Sequence, residues 1–207
     1  MKTRWIRVFG TAAMLIAAAL AGCSLGPQLE PAESYDLGPP RAHASANPGV
    51  PAILLLPEIS APAWLDGHGI IYRLSYENSA RPQAYAGSRW VAPPAAMLTQ
   101  RMRGRFASAA GGVLTNADGA RADYALRIEL EDFSQSFTAS NSSRVGLRAR
   151  TSLVRLADRT LVAQQVFSVE RTAPTPDARG AVAALGEASD EFVERLLAWT
   201  GEQTRKK

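Results

Sequence analysis

A single thiol, at Cys23, is the most reactive group in this chain. Leu20, Ala21 and Gly22 precede it, so an enzyme acting there would meet little steric hindrance at the backbone. The other candidates for chemistry are sparse. Of two histidines, His43 sits in a proline-rich stretch and His68 in the loop Asp66-Gly67-His68-Gly69. An Asp and a His two apart are at most half of a metal site or a base with its orienter. Zinc needs three or four ligands, and no further ligand stands nearby, so a solvated turn and no metal are expected. A serine nucleophile would want Gly-x-Ser-x-Gly at a strand-turn-helix, which is absent. No glycine-rich loop opens a helix to hold phosphate; Gly111-Gly112 precedes a strand. No catalytic residue is assigned. The expectation is a protein that is not an enzyme and has no cofactor beyond what Cys23 carries.

What Cys23 carries follows from its context. Lys2, Arg4 and Arg7 form a positive start, and Phe9 to Leu20 is an apolar run without charge. A short basic region, an apolar region of about 7–15 residues and small residues at a cut describe a secretory signal. The run is short of the roughly 20 residues that span a membrane. Leu20-Ala21-Gly22-Cys23 is similar to the lipobox of bacterial lipoproteins. That resemblance implies cleavage between Gly22 and Cys23, a signal over residues 1–22, and a covalent lipid on the Cys23 sulfur. Each buried CH₂ contributes about 0.8 kcal/mol, so several acyl chains give stable anchoring. Ser24 stands where lipoproteins held at the inner membrane usually carry aspartate, which favours the periplasmic face of the outer membrane.

The charge balance excludes one class of partner. The whole chain has a formal charge of +4, but three of its 23 basic residues lie in the signal. The remainder has 20 Lys and Arg against 19 Asp and Glu, or +1. A net basic face that displaces counterions is missing, so nucleic acid is not an expected partner. Arg144, Arg148 and Arg150 make a basic stripe on one strand, best read as pairing with Glu129 and Glu131 across a hairpin.

The elements that position these groups are legible in part. Residues 23–50 form a lipidated, proline-rich tether, with Pro27, Pro31, Pro39, Pro40 and Pro48. As a loose coil its ends would sit about 30 Å apart. Tyr35 and Leu37 alternate with polar neighbours there, as a short docked strand would. A domain over 51–207 opens with Ile53-Leu54-Leu55-Leu56, read as a strand buried on both faces. Ile70–Tyr76 and Gln83–Ser88 follow as strands. Pro93 and Pro94 suit a first helical turn; Leu98, Met102, Phe106 and Ala109 continue the helix, and Gly111-Gly112 stops it. Three long strands come next, near 124–131, 144–153 and 161–171, each alternating with period two. Residues 138–143 are expected to be a loop, and Ala157-Asp158-Arg159-Thr160 a hairpin turn. A last helix from about Asp177 carries Val182, Leu185, Ser189, Phe192, Leu196 and Trp199 on one stripe, with Glu187, Asp190, Glu191, Glu194 and Arg195 off it. The fold class is α+β: a mixed, mostly antiparallel sheet with two helices packed on one face.

Trp64, Tyr72, Tyr76, Tyr85 and Trp90 cluster in a turn-rich stretch, where aromatics with a polar tip suit a partner as well as a core. Six stretches in order then resemble the ABC-type transport auxiliary lipoprotein family, which includes PqiC. They are Tyr35-Asp36-Leu37; Trp64-Leu65-Asp66 with Ile71-Tyr72-Arg73; Arg89-Trp90 with Pro93 or Pro94; Tyr124 to Phe133; Leu161 to Phe167; and the alanine-rich last helix to Trp199. Ala92-Pro93-Pro94 departs from the pattern, lacking an acidic residue before proline. The resemblance implies a non-catalytic accessory of an MCE-type (mammalian cell entry) system, which pairs an ABC transporter with a periplasmic MCE-domain protein and moves lipid between membranes. It implies the MCE protein and its transporter as partners, with several copies of this chain assembling together. Candidate partner-binding residues are Trp64, Leu65, Asp66, Tyr72, Arg73, Arg89 and Trp90. Two alternatives stand beside it. One is a structural lipoprotein similar to the plug of the lipopolysaccharide export barrel, whose mature start usually reads Cys-Gly-Phe rather than Cys23-Ser24-Leu25. The other is an anchored periplasmic hydrolase.

Overall fold

Strands form where apolar and polar residues alternate, and the longest alternation organises the rest. The computed structural model describes residues 31–41 and 49–206. The expected signal, the Gly22–Cys23 cut, the lipid site and His43 lie outside the described residues. From Ala32 onward the chain forms one compact unit.

The longest strand, β6, is Tyr124–Ala139, about 53 Å at roughly 3.3 Å per residue. Strand β7 (Ser142–Arg155) pairs with it antiparallel, from Tyr124 opposite Arg155 to Ala139 opposite Ser142. Strand β8 (Leu161–Thr172) adds antiparallel to β7. The loop expected over 138–143 is shorter than the polar run suggests: both strands continue, and only Ser140 and Asn141 turn. The turn before β8 is closed by Asp158, whose carboxylate accepts from the Thr160 amide at 3.1 Å and its hydroxyl at 2.7 Å.

Two short strands share the other edge of β6, end to end. Strand β2 (Val50–Leu55) meets it at Tyr124 and Ala125, and β3 (Gly69–Leu74) at Ser134–Phe137, both parallel. A bridge from Ser60 to Glu129 lies between them. The sheet forks there. Strand β5 (Ala110–Leu114) pairs parallel with β2. Strand β4 (Gln83–Trp90) pairs antiparallel with β3, and β1 (Glu33–Tyr35) pairs parallel with β4. Among the described residues four of the seven pairings are parallel. The sheet is therefore mixed, and the antiparallel majority expected from the hairpins is limited to their branch and β3–β4. Hairpins join neighbours in sequence, whereas parallel partners are joined by crossovers whose register no local pattern reveals.

Strand β2 also departs from its expected burial on both faces. Ala52 and Leu54 point inward, while Ile53 is 38% exposed. Among the described residues, helices cover one side of this sheet. Helix α1 (Pro94–Ala107) contacts β5, and α2 (Ala178–Arg205) lies against β2, β6, β7 and β8. The first ends before the glycine pair, which enters β5 instead of terminating the helix. A Cβ at Gly111 would sit 3.2 Å from the Ala52 carbonyl oxygen, so glycine there admits β2 closely. Asp177 caps α2 by accepting from the Gly180 amide at 2.8 Å, and these hydrogen bonds, Gly180 first and then Thr175, hold its carboxyl below the usual range. The stripe on α2 packs as expected. Phe167 of β8 meets Phe192 and Trp199 edge-on, with centroids 5.9 and 5.8 Å apart. Each such fully buried side chain contributes about 1.5–3 kcal/mol.

Candidate functional site

The seven candidate binding residues separate by burial. Leu65 and Trp90 are each 1% exposed. Trp90 lies 5.8 Å from the Phe133 ring, and its apolar bulk belongs to the core. In this fold both side chains lie inside the domain rather than at its surface. Local sequence places an aromatic near a turn but does not say which side of a strand end faces in.

The other five are brought towards the surface of the β3–β4 branch. Trp64 is 38% exposed, and the Arg73 guanidinium lies over its ring, 5.0 Å from the centroid. A cation held this way on exposed indole is worth about 0.5–1 kcal/mol. Arg73 also donates to the Ser79 carbonyl at 3.2 Å, so the stack is fixed at both ends. Tyr72 is half-buried, with Tyr85 at 4.6 Å and the Phe137 edge at 6.0 Å. Tyr85 donates to Gln135 at 2.6 Å, and burial pushes its phenol up to about 12. Arg89 donates to Ser34 at 3.2 Å and so fastens β1. Asp66 is exposed beside Trp64 in sequence.

His68 has a structural part here. Its carbonyl accepts from the Trp90 amide at 2.7 Å, and its Nδ1 lies 3.0 Å from the Trp90 carbonyl. Among the described residues no group of three or more His, Cys, Asp or Glu could hold a metal. The arginine stripe on β7 pairs across the sheet. Arg148 meets Glu131 at 2.8 Å, Arg150 meets Glu129 at 2.7 Å, and Arg144 meets Glu170 on β8 at 3.0 Å.

A second polar constellation escaped the sequence reading. Asp190, expected off the apolar stripe, is 7% exposed. It pairs with Arg101 of α1, with side-chain exposures of 8% and 7%. One turn further along both helices, Arg105 holds Glu194 through two hydrogen bonds. Two rungs with the same four-residue step show that α1 and α2 run side by side in the same direction. Arg101 also donates to the carbonyls of Leu37 (2.8 Å) and Gly38. The second Asp190 oxygen accepts from the Arg41 amide at 3.2 Å, and the Arg41 side chain reaches Glu187. Thus residues 36–41, inside the stretch read as tether, are docked on the helix pair. Leu37 is buried, and its carbonyl lies so close to α2 that a Cβ on Gly186 would be 2.7 Å from it. The available signal was the matching step of four, Arg101 and Arg105 against Asp190 and Glu194, though nothing local aligns residues 89 apart.

Comparison with known proteins adds the following. The model of a family described as the ABC-type transport auxiliary lipoprotein component matches residues 35–196. A crystal structure of a DUF330 protein from Xanthomonas campestris superposes with a TM-score of 0.72 at 24% identity, covering 85% of this chain and 100% of that one. A second crystal structure, of an uncharacterised protein, gives 0.62 at 15% identity, covering 81% and 97%. At these identities the likeness is one of fold. No curated protein matches.

Proposed function

The chain belongs to the ABC-type transport auxiliary lipoprotein family, and from that premise we propose that it is the non-catalytic, outer-membrane-anchored accessory of an MCE-type system that moves lipid between the inner and outer membranes. The observation that carries the proposal is the family match over 35–196, nearly the whole described domain. The domain's chemistry is consistent with it. Five of the arginines described above, Arg101, Arg105, Arg144, Arg148 and Arg150, are taken up in ion pairs with carboxylates. In this reading lipid on Cys23 holds the domain at the periplasmic face, and the domain works by gripping an MCE-domain protein and, through it, the transporter. Tethering raises its local concentration there, so a modest surface patch suffices.

The patch is Trp64 with Arg73 stacked on it, flanked by Asp66. A large exposed aromatic fixed by a cation is ordered before a partner arrives, which lowers the entropy lost on binding. The test is crosslinking in intact envelopes followed by purification of the lipidated chain. An MCE-domain protein is expected to be captured by the wild type, and Trp64→Ala should reduce capture at least tenfold while the thermal melt is unchanged. Undiminished capture by folded Trp64→Ala would remove the patch. Absence of any MCE protein from the wild-type sample would remove the functional reading.

A further inference from the structure

We infer that the open edge of β8 is a strand-pairing site that takes up an extended, uncharged segment of another protein as one more strand of the sheet. The inference goes beyond the membrane anchor and the transport role proposed above and rests on neither.

A sheet edge attracts other chains because its amides and carbonyls lack strand partners. Folded proteins blunt their edges with short strands, proline, lysine or bulges. Two edges of this sheet are blunted by length, since β1 has three residues and β5 five. Strand β8 has twelve, about 40 Å of edge at roughly 3.3 Å per residue. It pairs with β7 on one side, and among the described residues no strand lies on the other. Its sequence carries few guards: residues 160–169 include no charge, no proline and no glycine. The register shift in its ladder falls at Val162, near its start, and leaves 163–172 regular.

Hydrogen bonds fix which groups the edge offers. Along an antiparallel strand, successive residues turn their backbone groups alternately towards the neighbour and away from it. The Ala173 amide donates to the Ser143 carbonyl at 3.1 Å, so the odd-numbered residues face β7. The Ser168 carbonyl instead accepts from Arg195 of α2 at 3.2 Å, on the open side. Gln164, Val166, Ser168 and Glu170 therefore present their amides and carbonyls outward, with Arg195 over the Ser168 carbonyl.

The side chains define the occupant. Leu161 and Val166 are 58% and 42% exposed. They stand opposite Val154 and Arg150, on the face away from α2. The charges farther along are already paired, Glu170 with Arg144, and Arg171 with Glu187 and Glu191. A neutral segment with apolar side chains at alternate positions matches this edge: it covers Leu161 and Val166, and its main chain completes the ladder. A second copy of β8 matches it less well. Antiparallel pairing of two such strands about Gln164 sets Asp158 opposite Glu170 at both ends. Pairing about Gln165 sets Arg159 opposite Arg171, and like charges so placed destabilise a sheet. Pairing about Val166 puts Gln164 opposite Ser168 and displaces Arg195 from both copies.

The test uses the full chain and a short fluorescent peptide of alternating threonine and valine. Its control is the same peptide N-methylated at every amide, which keeps the side chains but cannot donate. Fluorescence anisotropy should show saturable binding of the first and at least tenfold weaker binding of the second. Val166→Pro removes an outward amide and spares the bonds to β7, so it should weaken binding at least tenfold with an unchanged thermal melt. Val166→Lys adds a guarding charge without touching the backbone and should do the same, which keeps the test decisive if the proline variant misfolds. No saturable binding, equal binding of the two peptides, or undiminished binding by the folded lysine variant would overturn the site. Sedimentation of the wild type as a dimer and of Val166→Lys as a monomer would make a second copy the occupant and overturn the partner segment.

Discussion

Two arginine–carboxylate ladders, built from the same chemistry, sit on opposite sides of this sheet. The outer one joins Arg148 and Arg150 of β7 to Glu131 and Glu129 of β6, with both arginines about half exposed. The inner one joins Arg101 to Asp190 and Arg105 to Glu194, between the helices, and its first rung is almost fully buried. Water competes for every partner in the outer ladder, so breaking a rung there leaves two solvated charges. It is excluded from the first inner rung, where breaking the pair strands a charge. Burial, rather than the number of rungs, decides what each ladder does.

The largest expected effect comes from breaking the inner ladder. Asp190→Ala leaves the Arg101 cation with backbone carbonyls alone. Urea unfolding should show a loss of about 3 kcal/mol, at the low end for a broken buried pair, because the Leu37 and Gly38 carbonyls still accept from the cation. Replacing both partners, Arg101→Leu with Asp190→Leu, should restore most of that loss, since well-packed apolar side chains commonly match a buried pair. A single variant within 1 kcal/mol of the wild type would show that water already reaches the rung and would erase the contrast between the ladders.

The contrast also explains which parts of the molecule were legible in its sequence. The outer ladder follows from a hairpin, where period-two alternation sets each face and neighbours pair in register; Glu129 opposite Arg150 is that register made visible. The stripe on α2 is local in the same sense. The inner ladder joins residues 89 apart through a helix pair that no periodicity aligns. The parallel partners of β6 were hidden for the same reason. The candidate surface divided along this line too. Trp64 and Trp90 carry similar local signals, yet one is exposed and the other is core, because Trp90 ends a strand against Phe133 of a strand more than thirty residues later. Docking of residues 36–41 was visible only as the alternation at Tyr35 and Leu37.

Asp177 is an intermediate case: a charge near water, but held by backbone donors at the start of α2. Replacing it with alanine should cost about 1 kcal/mol, the usual value of an N-cap. The pH dependence has a definite sign. Its folded carboxyl titrates below its unfolded value because the Gly180 amide and the Thr175 hydroxyl bond to the charged form. Its stabilisation is therefore fully present above the unfolded value near 4 and lost as pH falls through the folded one. Stability measured from pH 6 down to pH 2.5 should fall less steeply for Asp177→Ala than for the wild type. Parallel curves would place the capping bond's strength in geometry rather than charge.

The smallest effect belongs to the outer ladder. Arg150→Ala should cost only a few tenths of a kcal/mol, as exposed pairs do. Arg150 also approaches a second carboxylate, Glu131 at 3.5 Å, so the loss should sit at the upper end of that range. Salt gives the sharper measurement. At 1 M the screening length is about 3 Å, so the difference between wild type and Arg150→Ala should vanish there, whereas the loss in Asp190→Ala should persist, because ions do not enter the buried rung. If both differences fade together as salt rises, the inner pair is solvated like the outer one. If neither fades, Arg150 contributes through its aliphatic stem lying against the exposed face of Val166, which pairs opposite it on β8, and the outer ladder is held by packing rather than by charge.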